Sequence, residues 1–293
     1  MWFFFDIIFL SAIFSRFLIY CSNKYQFFQP VSESVSGIRK KEFVPSLGGV
    51  VVLIIVNIFF SYNLPVVLLM NYFGFIGLFD DLKKIFYQNS KGLSIKLRLF
   101  LEIVGSLFFV HYSFLQDPSR FSIPCFGNLG LINYFWGSLV IMGSANSLNL
   151  TDGVDALAST IAIYVLLFVG IKFNLSFPFI LIFAILGFLI FNFPPAKLYM
   201  GDIGALSIGS AIGALYFQNK FEFALPFLGF ILVAETLSSA LQIFFIKKYN
   251  KKIFLMAPLH HHLEMKQWTV IKILTVFNLI SLSLFIVGAF IWF

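Results

Sequence analysis

The chain has 293 residues, of which 60% are hydrophobic and 11% are charged. Soluble proteins carry about 25% charged residues, so this composition excludes a soluble globular protein and predicts a multi-pass membrane protein in contact with the lipid bilayer. The formal net charge of +7 is expected from lysines in cytoplasmic loops, and we expect no nucleic acid partner.

Ten hydrophobic segments are predicted to span the membrane, because a helical span needs about 20 mostly apolar residues. The first lacks a basic start and a small-residue cleavage site, so we predict a span and not a removed signal peptide. The expected fold is all-α, a single transmembrane domain over residues 1–293 with both termini outside. The predicted spans are 2–22, 48–62, 64–80, 99–115, 130–148, 157–173, 176–192, 203–218, 224–246 and 270–292.

The loops between these spans alternate between the two sides of the membrane, and lysine and arginine are concentrated on one side. The other side receives only Arg120, Lys172 and Lys220. The positive-inside rule makes the lysine-rich side cytoplasmic. Every polar cluster described below falls on that side, so we expect one composite site that faces the cytoplasm.

The third predicted span ends on two adjacent carboxylates, Asp80 and Asp81, which Lys83 and Lys84 follow. We expect this pair where the helix meets water. Adjacent carboxylates repel each other unless a cation lies between them, and their oxygens suit Mg²⁺, which takes one or two carboxylates together with substrate phosphates. The alternative is that one of the two caps the helix that follows.

The fifth predicted span closes on amides and carboxylates at every third position, namely Asn146, Asn149, Asp152 and Asp155. Neighbours at this spacing share one face of a helix. Because polar groups at the end of a membrane helix are costly to place against lipid, we expect this run to face a polar cavity. A solvated loop is the alternative.

The link between the seventh and eighth spans contains Asn192, Tyr199 and Asp202. We expect Asp202 at the start of a helix, where backbone N–H groups and the helix dipole favour an anion. Helix capping alone is the alternative. Tyr199 suits either a stacking platform for a base or an anchor at the membrane interface.

Three consecutive histidines, His260, His261 and His262, form the last polar cluster. On a helix they cannot all point one way, so at most one or two of them contact any single ligand. Zinc is an alternative partner, but no cysteine lies nearby and the carboxylate clusters suit Mg²⁺ better. We therefore predict a contact with phosphate or a role in proton transfer.

In this order the motifs resemble those of the polyprenyl-phosphate N-acetylhexosamine-1-phosphate transferases, of the glycosyltransferase family 4 type. The resemblance extends over residues 41–268. The matching motifs are residues 45–49, 80–84, 149–155, 200–204 and 258–264. Within that superfamily, residues 91–94 and 257–262 look like the bacterial phospho-N-acetylmuramoyl-pentapeptide transferases.

The resemblance implies a ten-helix membrane fold in the bacterial inner (plasma) membrane and a reaction that uses Mg²⁺. Phospho-N-acetylmuramoyl-pentapeptide would pass from its UDP conjugate to undecaprenyl phosphate. The products would be the first lipid-linked peptidoglycan precursor and UMP. The oligomeric state stays open, with a homodimer as one option.

The resemblance also implies roles for individual residues. Asp81 and Asp202 are the implied Mg²⁺ ligands, and Asp80 is the implied base or nucleophile near the lipid phosphate. His260 and His261 are implied to contact the pyrophosphate or the lipid phosphate. The residues implied to bind substrates, at the phosphates or in the nucleotide pocket, are Lys41, Lys84, Lys96, Asn146, Asn149, Asp152, Asp155, Asn192, Tyr199 and His262.

Two other functions are compatible with parts of the sequence. A relative with the same chemistry would transfer N-acetylglucosamine phosphate for a surface polysaccharide, but such relatives tend to have a less uniform histidine loop. A cation-coupled transporter would also carry intramembrane acids and histidines. Transporters place these groups near the bilayer midplane, whereas here they gather at the predicted cytoplasmic ends of spans, which favours an enzyme.

Overall fold

The computed structural model describes residues 2–28, 44–59, 62–88, 92–118 and 130–293. Within these ranges every regular element is a helix and no strand occurs, which confirms the all-α prediction. Lys41 lies outside the described residues. The helices are α1 (Trp2–Tyr25), α2 (Gly49–Ile58), α3 (Leu64–Tyr87), α4 (Ile95–Gln116), α5 (Leu131–Thr151), α6 (Leu157–Lys172), α7 (Ser176–Asn192), α8 (Gly201–Gln218), α9 (Leu225–Leu228), α10 (Phe230–Tyr249), α11 (Leu259–Met265) and α12 (Val270–Trp292).

Each of the ten predicted spans coincides with a helix, the ninth with α9 and α10 together. Among the helices of the described ranges, five are long and apolar enough to cross a membrane, namely α1, α3, α4, α10 and α12, and α2, α6 and α7 are shorter apolar helices. The chain is therefore a membrane-embedded helical protein. The count of ten crossings and the side on which the termini lie stay predictions.

One predicted boundary is wrong. The third span was expected to end at Asp80 and Asp81, with this pair at the water boundary. Instead α3 continues for almost two further turns to Tyr87, and the two carboxylates are buried, at 3% and 0% exposure. A helix can hold such groups in its interior when neighbouring helices supply polar partners.

Helix α8 is the centre of the bundle. Every residue from Ile203 to Phe217 is buried, and α8 packs most extensively against α3 and α5. Its glycine, alanine and serine residues allow the close helix approach typical of membrane interfaces. At Gly209 and Gly213 an added Cβ would overlap the backbone of α5. The small residues of α8 therefore fix the helices whose ends carry the predicted site.

Two glycines outside α8 bring other segments onto its first turn. Gly77 of α3 packs directly on the backbone of Asp202, and Gly49 of α2 packs on the backbone of Gly204. The Gly49 N–H also donates to the Met200 carbonyl at 2.8 Å. A side chain at either glycine would push the start of α8 away, so these contacts set the position of Asp202 relative to α3.

Candidate active site

Three carboxylates from two distant segments converge at one end of the bundle. Asp80 and Asp81 face the interior from α3, and Asp202 comes from the first turn of α8. One oxygen from each lies within 4.8 Å of the others, a spacing that one metal ion could bridge. The structure therefore joins the two acidic clusters that the sequence suggested into one centre.

Lys84 connects two of these carboxylates. Its Nζ lies 2.6 Å from Asp80 Oδ2 and 2.8 Å from Asp202 Oδ2. The spacing of four residues along α3 places the lysine on the same helix face as Asp80. A phosphate that reached this centre would meet the Lys84 ammonium, as the resemblance implied.

Asp81 anchors the start of α8. Its two oxygens accept hydrogen bonds from the backbone N–H groups of Asp202 at 3.2 Å and Ile203 at 3.1 Å. These N–H groups form the positive end of the helix dipole. The expectation that one of the pair caps the helix that follows is wrong, because both lie inside α3 and Asp81 binds the first amides of α8 instead. An ionised carboxylate offers about four lone pairs, so these bonds leave room for a cation.

Arg98 belongs to the centre, although sequence reasoning did not select it. Its Nη1 lies 3.8 Å from Asp202 Oδ2, and its Nη2 donates to Asn146 Oδ1 at 3.1 Å. Its Nε lies 3.5 Å from the carboxylate of the buried Glu102. Lys96, which the resemblance implied, has an exposed side chain, so its contact with a phosphate stays a prediction.

Glu102 and Asn146 hold the Arg98 side chain in place. Asn146 Nδ2 donates to Glu102 Oε2 at 2.5 Å and to the Met142 carbonyl at 3.0 Å. Arg98 and Glu102 are four residues apart on α4, the spacing of ion pairs on one helix face. That spacing was the sequence feature that could have identified Arg98. The amide of Asn146 thus faces the polar centre, as predicted for the run that it begins.

The later residues of this run contact the start of α8 and the segment before it. Asp152 is partly buried, and the backbone of Gly201 donates a hydrogen bond to its carboxylate. Burial first, and then the charges of Asp202, Asp81 and Asp155, hold the pKa of Asp152 well above its usual range. Asp155 Oδ2 accepts from the Ala196 N–H at 3.0 Å. The solvated-loop alternative is therefore wrong for Asp152. Asn149 is partly buried on the same run.

His260 joins the histidine helix α11 to this region. Its backbone N–H donates to the carboxylate of Glu235 in α10, at 3.1 and 3.3 Å, and its ring Nδ1 lies 3.1 Å from Glu235 Oε2. Its Nε2 packs directly on Gly153, which follows Asp152. Sequence reasoning missed Glu235, because no motif around it in α10 distinguishes it from any other acidic residue in a membrane helix.

The other two histidines have separate partners. His261 Nδ1 lies 2.6 Å from Glu264 Oε2. His262 Nδ1 accepts from the Leu255 N–H at 3.1 Å, and burial together with the nearby Lys266 charge lowers the pKa of His262. The three rings thus have different partners within the protein, and the expectation that at most two of them contact one ligand stays a prediction. Their contacts with substrate phosphates stay predictions.

Asn192 and Tyr199 support the loop before α8. The buried Asn192 Oδ1 accepts from the Ala156 N–H and the Ser159 hydroxyl, both at 3.1 Å, and its Nδ2 donates to the Leu198 carbonyl at 2.9 Å. The Tyr199 N–H donates to a carbonyl of the segment before α2. The structure thus gives Asn192 a framework role, and the nucleotide contacts of both residues stay predictions.

Comparison with known proteins identifies the family to which this chain belongs. Residues 63–219 match the family model of glycosyl transferase family 4. The chain belongs to this family. Three relatives, each named phospho-N-acetylmuramoyl-pentapeptide-transferase, align over most of their length. They come from Desulfotalea psychrophila (37% identical, covering 84% of this chain and 79% of the relative), Campylobacter hominis (36%, 95% and 90%) and Staphylococcus carnosus (33%, 96% and 96%).

The part that matches glycosyl transferase family 4 runs from the start of α3 to the end of α8. It contains the three carboxylates, Lys84 and Arg98. The histidine helix α11 lies beyond the family match. The centre therefore lies within the part of the chain that matches glycosyl transferase family 4.

The donor set of this family 4 centre fits a hard cation. Asp80, Asp81 and Asp202 supply carboxylate oxygens, the ligands that Mg²⁺ prefers. The ion pairs with Lys84 and Arg98 still leave three carboxylates against two positive groups, a formal excess of negative charge. After burial, the same negative charges raise the pKa of Asp152, and a cation at the centre would stabilise its ionised form.

Proposed function

We propose that the chain transfers phospho-N-acetylmuramoyl-pentapeptide from its UDP conjugate to undecaprenyl phosphate, giving the first lipid-linked peptidoglycan precursor and UMP. The observation that carries this proposal is the buried centre of Asp80, Asp81 and Asp202 bridged by Lys84. It occurs in a chain whose relatives bear the name of that transferase. Nothing in the comparisons favours a polysaccharide transferase or a transporter.

The products define which bonds change. The sugar keeps its own phosphate and UMP leaves, so the bridging P–O bond to UMP breaks and a new P–O bond joins the sugar-linked phosphorus to a lipid phosphate oxygen. The lipid phosphate attacks directly if Asp80 is a base, and it displaces Asp80 from phosphorus in a second step if Asp80 is the nucleophile that releases UMP. Phosphoryl transfer depends mainly on positioning and on compensation of charge. Lys84 and Arg98 would stabilise phosphate oxygens, and their contacts with Asp202 at the centre support this role.

Asp80 contacts both the segment before α4 and Lys84. Its Oδ1 accepts from the Leu93 N–H at 2.6 Å and its Oδ2 contacts Lys84. Both contacts stabilise the ionised carboxylate. An ionised Asp80 suits either role that the resemblance implied, a base that takes the proton of the lipid phosphate or a nucleophile that attacks phosphorus.

We assign Mg²⁺ to the carboxylates of Asp81 and Asp202, with Asp80 as the third oxygen donor. When bound, the ion would supply charge compensation for the pyrophosphate. The protein's own contribution is to hold these carboxylates in place. The Asp202 carboxylate is held by Lys84, and the Asp81 carboxylate by the first amides of α8.

The proposed setting is the bacterial inner membrane, with ten spans and the centre facing the cytoplasm, where a soluble nucleotide sugar is available. The polar centre is built from late residues of α3 and α5 and early residues of α4 and α8. Consecutive helices that enter and leave at the same end produce this pattern. Cysteine labelling at residue 251 from outside intact cells would contradict this orientation.

The direct test is release of UMP by purified protein in detergent. UDP-N-acetylmuramoyl-pentapeptide with undecaprenyl phosphate should release UMP, and UDP-N-acetylglucosamine should not replace the first substrate. Release from UDP-N-acetylglucosamine alone would favour the polysaccharide transferase. Ion-dependent uptake into proteoliposomes without UMP release would favour the transporter.

A further inference from the structure

An apolar groove runs along α3 next to the acidic centre. It has a volume of about 600 Å³ and lies between α3 and the start of α4. It extends from Tyr72 to Phe86, a length of about 21 Å at 1.5 Å per helical residue. Its walls include Tyr72, Ile76, Phe79, Leu93, Leu97 and Leu101.

The two helices are fixed at the end of the groove farthest from the polar centre. The Tyr72 hydroxyl donates to the Leu101 carbonyl at 2.9 Å, and Gly105 of α4 packs directly on the Tyr72 ring. These contacts hold α3 and α4 together at this end of the groove. The groove thus lies between two helices that contact each other directly at one of its ends.

Leu93 connects the groove to the centre. Its side chain lines the groove, while its backbone N–H donates to Asp80 Oδ1 at 2.6 Å. Gly92 packs so closely on the Asp80 carboxylate that an added Cβ would overlap it. The short segment of Gly92 and Leu93 therefore separates the apolar groove from Asp80, the acid that we assign to the lipid phosphate.

The charge of the groove indicates the kind of ligand that would fit. Among the described residues that line it, Lys83 is the charged one and the others are apolar or aromatic. Lys83 lies next to Lys84, which contacts Asp80 and Asp202. A long apolar chain that ends in an anion matches this order, with the chain against the leucines and the anion near the two lysines.

We propose that this groove binds the polyisoprenyl chain of the lipid phosphate and delivers its phosphate past Lys83 to Asp80 and Lys84. The proposal rests on the proposed function, because that function supplies the lipid phosphate. An acyl chain of an ordinary phospholipid would fill the same space without the matching delivery to the centre. The experiment below separates these two occupants.

The test uses Leu97→Trp, which places a large ring inside the groove. Leu99→Trp is the matched control, since Leu99 is on the same helix, lies outside the groove and is 38% exposed against 45% for Leu97. Binding of undecaprenyl phosphate and of the short-chain geranyl phosphate is measured on full-length purified protein by native mass spectrometry. Apparent KM values for both lipids and for the nucleotide sugar are measured alongside.

Leu97→Trp should weaken binding of undecaprenyl phosphate by at least about threefold, because in apolar surroundings a groove holds a chain by van der Waals packing. Binding of geranyl phosphate and the KM for the nucleotide sugar should stay at the Leu99→Trp level. Equal behaviour of the two variants would overturn the assignment. So would displacement of undecaprenyl phosphate by an equal amount of phosphatidylglycerol, which would mark a general lipid site.

The two proposals fail in different ways. If wild-type protein binds undecaprenyl phosphate but releases no UMP, the proposed function falls and the comparison of Leu97→Trp with Leu99→Trp still decides the groove. If UMP is released at the same KM for undecaprenyl phosphate in both variants, the groove assignment falls and the proposed function stands.

Discussion

Buried carboxylates occur at both ends of α8, and their surroundings differ. At the start of the helix, Asp202 lies 2.8 Å from the Lys84 ammonium within the acidic centre. Beyond its far end, Glu222 is 3% exposed in a short 3₁₀ helix, and Oε1 accepts from the Trp136 indole N–H at 3.3 Å. An α-helix of this length spans about 27 Å, so the two sites belong to opposite ends of the bundle.

The comparison shows that buried carboxyl groups at the two ends of α8 have different partners. Burial raises the pKa of Glu222 to about 7, and the Trp136 hydrogen bond and the Lys220 charge only partly oppose it. The Glu222 carboxyl group is therefore partly protonated near neutral pH. In the acidic centre, contacts with Lys84 and Arg98 compensate the charge of the carboxylates instead. Under the proposed function, the positive groups beside these carboxylates, and not burial itself, would make the centre suitable for phosphates.

The largest effect should come from removal of the metal. Treatment with EDTA should abolish UMP release, and Mg²⁺ or Mn²⁺ should restore it, because the donors at the centre are carboxylate oxygens. A zinc-selective chelator should leave the activity unchanged. Activity that returns only with Zn²⁺ would indicate that the metal binds at the histidine helix α11. The carboxylates at the start of α8 would then have no metal-binding role that distinguishes them from Glu222.

Substitution of the acids themselves should separate the two ends. Asp202→Asn should lower turnover by roughly 10²–10³, the usual effect of removing one electrostatic group that stabilises a transition state. Glu222→Gln, at the other end of the bundle, should change turnover little. Steady-state kinetics at matched levels of folded protein measure both. Near-normal turnover in Asp202→Asn at saturating Mg²⁺ would contradict the shared centre.

Arg98 should have a smaller but clear effect. Arg98→Lys keeps the charge but loses the planar contacts that join Asn146 and Asp202, so kcat/KM should fall by about tenfold, the value of one or two charged hydrogen bonds. Lys96→Ala is the comparison variant, because its side chain is exposed. A larger loss in Lys96→Ala than in Arg98→Lys would restore the sequence-based choice of the phosphate-binding residue.

The sequence predicted which residue types form the centre but not how they contact each other. The helices that coincide with the ten predicted spans, and the position of Asp202 in the first turn of α8, follow from local patterns, namely apolar length and an acid beside glycines. The burial of Asp80 and Asp81 does not, because α3 continues past them only where α8 supplies backbone partners for Asp81. Glu235 could not be predicted either, because its contact with His260 joins residues 25 apart.

The smallest effect concerns the pH dependence of stability, which Glu222 should control. Its pKa is raised from 4.5 to about 7 in the folded protein, so between these values the folded state binds more protons than the unfolded state. Stability should therefore fall as pH rises through this range, by at most about 3 kcal/mol. It should be unaffected by this group below about pH 4.5, where Glu222 is protonated in both states.

Glu222→Gln removes the titrating group and keeps an acceptor for the Trp136 indole. Thermal unfolding in detergent should give similar midpoints for wild type and variant at about pH 5, and a higher midpoint for the variant at about pH 8. Glu264→Gln, an acid in contact with His261, serves as the matched substitution elsewhere in the chain. If wild type and Glu222→Gln keep the same difference in midpoint across this range, Glu222 is ionised at both pH values. The far end of α8 would then hold a compensated carboxylate like the one at its start.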